Sequence, residues 1–310
     1  YGFWCNINRL YGLEKSLSKF VDLLSSKTNV PKMCDFSWLT PGKKLYFLPD
    51  YSHGNPYQGL LYQNIGRAGV EAIGLTEQES IELDTSRFEK GDVLHIHWIN
   101  LLFKGHNAKT IGPVLDGFLN KLKRLKANGV VLVWTVHNRQ NHETVELDVE
   151  LNFRRHLSAI CDHVLLHHPM LEFELAKWLS KKSKIQIIEH GLYLNYYPNV
   201  VSKVEAVERL GLTMEQPVIS TLGQIREYKD LSSKITAIQE VNSKRRTKIQ
   251  YVIAGKISCV STKQKLEKSS DILTKNQFIP DEDVQSYLNC ADFVLLSYRD
   301  ILTSGSFFQA

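Results

Sequence analysis

No mainly apolar stretch of this 310-residue chain exceeds Val130–Val136. A membrane-spanning helix needs about 20 such residues, so none is expected. Cysteine is sparse: Cys5, Cys34, Cys161, Cys259 and Cys290 are odd in number, scattered, and never in a Cys-x-x-Cys pair. That excludes a disulfide framework and a zinc ribbon, and suits a reducing cytoplasm. The chain opens without the basic and then apolar segments of a signal peptide, so secretion is unsupported. A dense basic stripe is also missing. The 38 Lys and Arg against 33 Asp and Glu leave only +5, with 11 histidines in reserve. This mild excess suits an anionic ligand or membrane surface better than a nucleic acid. Low-complexity segments and short-period repeats are absent as well. What remains, 43% hydrophobic and 23% charged residues, is ordinary globular composition, and excludes a disordered chain, a fibre and a small stapled scaffold. At about 150 residues per domain the length predicts two domains.

Residues 1–41 read as a helical extension (Leu13, Leu17, Phe20, Leu24) with a connector through Pro31 and Pro41. From Lys44 onward, short apolar runs alternate with amphipathic stretches. Strands are expected at Leu45–Leu48, Asp92–Trp98, Val130–Val136, Cys161–His167 and Ile185–Ile188. Helices are expected at Gln58–Ala68, Ile111–Asn128, Val149–Ile160 and Leu171–Leu179. Val130–Val136 has the β-branched continuity of a central parallel strand buried on both faces. After a polar stretch near Asn195–Lys203 the texture restarts. Strands at Pro217–Gly223, Ile249–Gly255 and Phe293–Tyr298 alternate with helices at Ser232–Val241 and Asp283–Cys290. Alternation of this kind means doubly wound parallel sheets. The domains are 42–195 and 196–310.

Ligands in such sheets sit beyond the carboxyl ends of the strands. Those ends carry Asp50 through Tyr57; His95, His97, Trp98 and Asn100; Thr135-Val136-His137-Asn138-Arg139; and His190-Gly191. In the second half they carry Gly223 through Lys229, Ala254-Gly255-Lys256, and Tyr298-Arg299-Asp300 followed by Thr303 to Ser306. His95 and His97 point to one face of a strand, a spacing zinc sites use, but no further ligand cluster accompanies them. They, and His167-His168, are expected to pack and hydrogen-bond, with no metal. The basic groups Lys121–Lys126, Lys181–Lys184 and Lys244–Arg246 read as solvated helix faces.

Over roughly residues 44–310 the layout resembles the GT-B glycosyltransferases, nearest the large family 4 group. The likeness is carried by Trp134-Thr135-Val136-His137-Asn138, by Ile188-Glu189-His190-Gly191-Leu192-Tyr193, and by Leu222-Gly223-Gln224-Ile225-Arg226-Glu227-Tyr228-Lys229. Phe278-Ile279-Pro280 through Ala291-Asp292, then Tyr298 to Ser306, completes it. The fold it implies is α/β, two Rossmann-like doubly wound domains facing a cleft, with the second domain incomplete where the chain stops at Ala310. The function it implies is transfer of a sugar from a nucleotide-diphosphate sugar to a glycan or lipid-linked glycan, without a metal and without a cofactor. Bacterial exopolysaccharide or capsule synthesis follows from the resemblance alone, as does a place in the cytoplasm at the inner face of the membrane.

The site residues follow from the same resemblance. Gly223, Arg226, Lys229, Gly255, Phe278, Ile279, Tyr298, Thr303, Ser304, Gly305 and Ser306 are expected to hold the donor, the cations and small-residue N–H groups facing its diphosphate. His137 is expected at the reaction centre, as a hydrogen-bonding group or as a base. Asp50 and Glu143 are the carboxylates placed for a general base. His53, Gly54, Asn55 and Tyr57 correspond to the loop facing the acceptor. Closure of the cleft would exclude water, and a peripheral contact with anionic lipid is a secondary expectation. Two departures matter. Retaining members carry two glutamates where this chain has Ile301 and Gln309, and the arginine expected after Gly223 is Gln224. These departures keep open two rivals: a nucleotide-sugar epimerase of the same fold, and a non-catalytic nucleotide- or glycan-binding subunit.

Overall fold

The computed structural model describes residues 38–40, 42–141, 147–193, 196–298 and 302–310. The expected extension at 1–41 lies outside them, save residues 38–40. The described chain falls into two compact units, one running to Gly191 and the other starting at Leu192.

The first unit alternates strand and helix: β1 (Lys44–Leu48), α1 (Pro56–Arg67), β2 (Glu71–Gly74), α2 (Glu77–Glu82), β3 (Val93–Ile96), α3 (Ile111–Ala127), β4 (Val131–Thr135), α4 (Leu147–Ile160), β5 (His163–Leu166), α5 (Met170–Glu174) and β6 (Ile185–Ile187). All six strands are parallel, in the order β2-β1-β3-β4-β5-β6. Covered on both faces, β3 and β4 are buried almost throughout, which explains their unbroken apolar texture. The apolar face of α3 (Leu115, Phe118, Leu119, Leu122, Leu125) is buried as its helical spacing predicts. On its polar face, Lys126 pairs with Asp162 at 2.9 Å and Lys121 donates to the Glu82 carbonyl. Chain order reverses between β1 and β3, the place where such sheets open a crevice at their carboxyl ends.

The second unit carries α6 (Lys203–Arg209), β7 (Val218–Leu222), α7 (Leu231–Lys244), β8 (Gln250–Ala254), α8 (Val260–Leu266), β9 (Ile272–Lys275), α9 (Asp281–Asn289), β10 (Phe293–Val294) and α10 (Gly305–Gln309). Its four strands are parallel in the order β10-β7-β8-β9. The reversal here lies between β7 and β10. Val218, Leu222, Val252, Ala254, Ile279 and Val284 form one core layer, and Ile225, Ile235, Tyr251 and Ile253 another.

Two segments differ from expectation. The strand expected over Phe293–Tyr298 pairs only at Phe293–Val294, since its ladder to β7 spans two residues. The helix expected to reach Leu179 stops at Glu174, although Leu175, Trp178 and Leu179 stay buried through turns. Strands β2 and β9 were not expected from the sequence. Both are short edge strands with polar or glycine positions, so they lack the apolar run that marks a central strand.

Candidate functional site

In the first unit, β1 and β3 to β6 deliver side chains to the same end of the sheet. Period-two alternation puts His95 and His97 on one face of β3. The facing element is α1, whose Tyr62 ring stacks on Phe47 at 3.6 Å. The Tyr62 hydroxyl lies 3.0 Å from His95 Nδ1 and also contacts His97 Nε2. From there the contacts run both ways: His95 Nε2 meets Thr135 Oγ1 at 2.8 Å, and His97 Nδ1 meets His137 Nε2 at 2.9 Å. His95 and His97 thus pack and hydrogen-bond, as expected.

Around His137 the site is aromatic. Trp98 stacks on it, and the Tyr57 ring meets the rings of His137, His167 and His190 at 5.0, 5.2 and 4.9 Å. His167 donates from Nδ1 to the Ile188 carbonyl at 2.8 Å, and among the described residues its buried Nε2 has no hydrogen-bond partner. His190 donates in the same way to the Gly191 carbonyl. Burial, joined by the neighbouring imidazoles, pushes His95 down to about 3 and holds His97 and His137 well below the ordinary histidine range. It brings His167 to about 4. The cluster is therefore neutral near pH 7. Among the described residues, no three His, Cys, Asp or Glu are placed to hold a metal ion.

A small depression beside His137 is lined by Trp98, Asn100, Asn138, Asn141 and Arg154. Its wall is held by a buried ion pair one turn apart on α4. Arg154 reaches Glu150 at 2.8 Å and donates to the Asn138 carbonyl, while Glu150 accepts from the Asn141 N–H. The guanidinium lies between Trp134 and Trp178. The pair pins the segment that follows His137.

The other expected residues of this unit separate. The Asp50 carboxylate accepts from the Ser52 N–H and hydroxyl, and it fills the space beside Gly74, where a Cβ would come within 2.2 Å of it. Asn55 caps α1 by accepting from the Tyr57 N–H, and His53 and Gly54 are exposed in the turn before it. Tyr57 alone of that loop enters the histidine cluster. Glu143 lies outside the described residues.

In the second unit the loop after β7 turns through Gly223 and Arg226 into a 3-10 turn, Glu227–Lys229. Lys229 is 6% exposed, unusual for a lysine. Its Nζ lies 3.7 Å from where a Cβ on Gly223 would stand and 5.5 Å above the Tyr298 ring. The Ser306 hydroxyl approaches the same point, at 3.9 Å. Burial and the Arg226 charge bring the Lys229 ammonium down to about 8, and no carboxylate among the described residues pairs with it. Ser297 holds the turn by donating to the Lys229 carbonyl, and Tyr298 contacts Ser304 at 2.8 Å. Gly255 is required here: at φ +133° its missing Cβ would stand 2.0 Å from the Gly223 carbonyl oxygen. Of the other residues expected at the donor, Ile279 points into the core, Phe278 is exposed, and Thr303 and Gly305 are half-buried beside Ser304. Arg299, Asp300 and Ile301 are outside the described residues.

Solved structures share this architecture. HepE of Anabaena, in complex with UDP and glucose, superposes with a TM-score of 0.58 at 12% identity, over 86% of this chain and 76% of that one. Apo OtsA gives 0.55 at 10% identity over 86% and 80%, and an alpha,alpha-trehalose-phosphate synthase (UDP-forming) from Burkholderia vietnamiensis gives 0.54 at 8% over 87% and 80%. The fold is GT-B. No family model matches the sequence, and no curated protein matches it at the sequence level.

Within the GT-B frame, sequence reasoning had passed over several residues. Tyr62 sits between Leu61 and Ile65 on a helix and reads as core. The i, i+4 spacing of Glu150 and Arg154 reads as a surface pair, yet both are buried. His167 packs and hydrogen-bonds as expected, and it does so in the same cluster as His137.

Proposed function

We propose that this chain is a glycosyltransferase that takes its sugar from a nucleoside-diphosphate sugar and passes it to a glycan or lipid-linked glycan. The observation that carries this reading is Lys229: a buried ammonium with no carboxylate partner among the described residues, at the carboxyl end of β7, beside Gly223 and Ser306. A lone buried cation is costly, and a bound anion offsets that cost. A diphosphate supplies such an anion, and its negative charge grows as it leaves the sugar. Lys229 and exposed Arg226 are suited to neutralise it without a required divalent ion.

The neutral, aromatic cluster around His137 suits hydroxyl-rich ligands: imidazole nitrogens exchange hydrogen bonds with hydroxyls, and Tyr57 and Trp98 offer flat apolar faces. This is the chemistry of a sugar, not of a second anion. A peripheral contact with anionic lipid would fall to Lys123 and Arg124, since Lys121 and Lys126 of the same helix are engaged within the fold.

Nucleoside diphosphates titrated calorimetrically, followed by turnover assays with and without a glycan, test the reading. Saturable binding with nucleotide release only when glycan is present supports the transferase. Donor conversion without an acceptor identifies the epimerase, and binding without turnover a binding subunit. Absence of nucleotide binding refutes the proposal.

A further inference from the structure

Buried Lys229 and exposed Arg226 place two cations on the loop after β7. The carboxylate nearest to both in sequence is Glu227, which follows Arg226 directly and lies two residues before Lys229. A carboxylate so placed has two cations within reach, yet among the described residues it pairs with neither. The register of two neighbouring loops explains why. Beyond β7 and β8 the chain segments run side by side through one parallel bridge, Ile225 to Ile257. The Ile225 N–H donates to the Lys256 carbonyl, and both the N–H and the hydroxyl of Ser258 donate to the Ile225 carbonyl. Two residues further along each loop, the same register brings Glu227 to Cys259. The Cys259 thiol donates to Glu227 Oε2, and the Ser261 hydroxyl lies 3.0 Å from that sulfur and 3.5 Å from Glu227 Oε1. Fully buried Thr262 donates from its hydroxyl to the Cys259 sulfur at 3.2 Å, which leaves the thiol proton for the carboxylate.

We infer that Cys259, supported by Ser261 and Thr262, is a positioning residue that anchors the Glu227 carboxylate and so leaves the positive charge of Arg226 and Lys229 open to an anion such as a nucleoside diphosphate. A carboxylate set free on this loop would compete with a bound phosphate for Arg226 and repel it from Lys229. Cys259 itself touches no ligand in this scheme; it acts through Glu227. The anchor follows from the hydrogen bonds between the two loops, whereas its consequence for nucleotide binding rests on the proposed function.

Equilibrium titration with uridine diphosphate, together with a 13C NMR titration of the Lys229 side chain, tests this on the full chain at low salt. The Lys229 signal is assigned by its loss in Lys229→Gln. The double variant Cys259→Ala/Ser261→Ala should bind uridine diphosphate about fivefold more weakly than wild type, the scale of one partly exposed charge interaction. Adding Glu227→Gln removes the freed carboxylate and should restore the affinity; loss through packing alone would not be rescued this way. The Lys229 midpoint, expected at about 8 in the wild type, should rise in the double variant and return with Glu227→Gln. Should the double variant not fold, Glu227→Asp at this exposed position draws the carboxylate back from Cys259, and should give the same weakening and the same rise. A midpoint that does not rise, an affinity that does not fall, or a loss that Glu227→Gln does not restore overturns the inference. If the wild type binds no nucleotide, the functional reading fails, and the Lys229 midpoint alone decides the positioning role.

Discussion

Trp98 lies flat against His137, ring centroids 4.3 Å apart and planes 17° from parallel. The contact closes one face of the imidazole and fixes the plane in which its nitrogens point. Aromatic stacking of this kind contributes about 0.5–1.5 kcal/mol beyond area burial. Trp98→Leu is therefore expected to leave the fold intact while lowering kcat about tenfold. Nucleotide affinity, which the proposed function assigns to the other unit, should not change. Steady-state kinetics alongside nucleotide titration separate the two effects.

Lys229 should take up a proton when nucleotide binds. Free, its ammonium is held down to about 8 by burial and by Arg226; a phosphate beside it removes that penalty and returns it toward the ordinary lysine range near 10.4. At pH 8.5, calorimetric titrations in buffers of different ionisation heats should show net proton uptake. Lys229→Gln should show none. Equal uptake by both proteins would assign the proton elsewhere.

The buried histidines should make the first unit acid-sensitive. Their folded-state values lie below the ordinary 6.5, His95 at about 3 and His167 at about 4. Between those values and about 6.5 the unfolded chain binds more protons than the native one, so stability is complete above pH 7 and falls as acid is added. Urea unfolding followed by Trp fluorescence should give a lower midpoint at pH 5 than at pH 7.5. A midpoint that does not move would contradict neutral burial of the cluster.

Removing one partner of the Arg154–Glu150 pair should be severe. The pair is almost wholly buried, and a single truncation leaves an uncompensated charge among apolar rings. Glu150→Ala is expected to cost about 3–5 kcal/mol. It should also free the Asn141 N–H and loosen the segment after His137. Thermal unfolding and amide exchange at residues 138–141 measure both consequences.

Much of this was legible in the sequence because parallel α/β sheets put polar residues at strand ends and apolar ones inside. The β-branched run Val130–Val136 marks the centre of the first sheet, and His137, His97, His190, Gly223 and Lys229 follow as strand-end residues. The edge strands Glu71–Gly74 and Ile272–Lys275 were silent, since an edge needs fewer apolar side chains than a centre. Tyr62 was silent for another reason. It follows Leu60 and Leu61 and reads as core, and only the packing of α1 across β1 and β3 brings its hydroxyl between two imidazoles. Burial of Lys229 was equally hidden: the sequence shows a cation on a loop, while the fold covers it with Tyr298 and the turn after β10. Asp50 and Asn55 show the reverse, since their polar groups are spent on local turns and caps.

The measurement closest to the central claim is a paired equilibrium titration of wild-type chain and Lys229→Ala with uridine diphosphate. The account predicts saturable binding by the wild type and an affinity at least about tenfold weaker in the variant, the scale of one charge-assisted hydrogen bond. No binding by the wild type, or equal affinity in the two proteins, would contradict it.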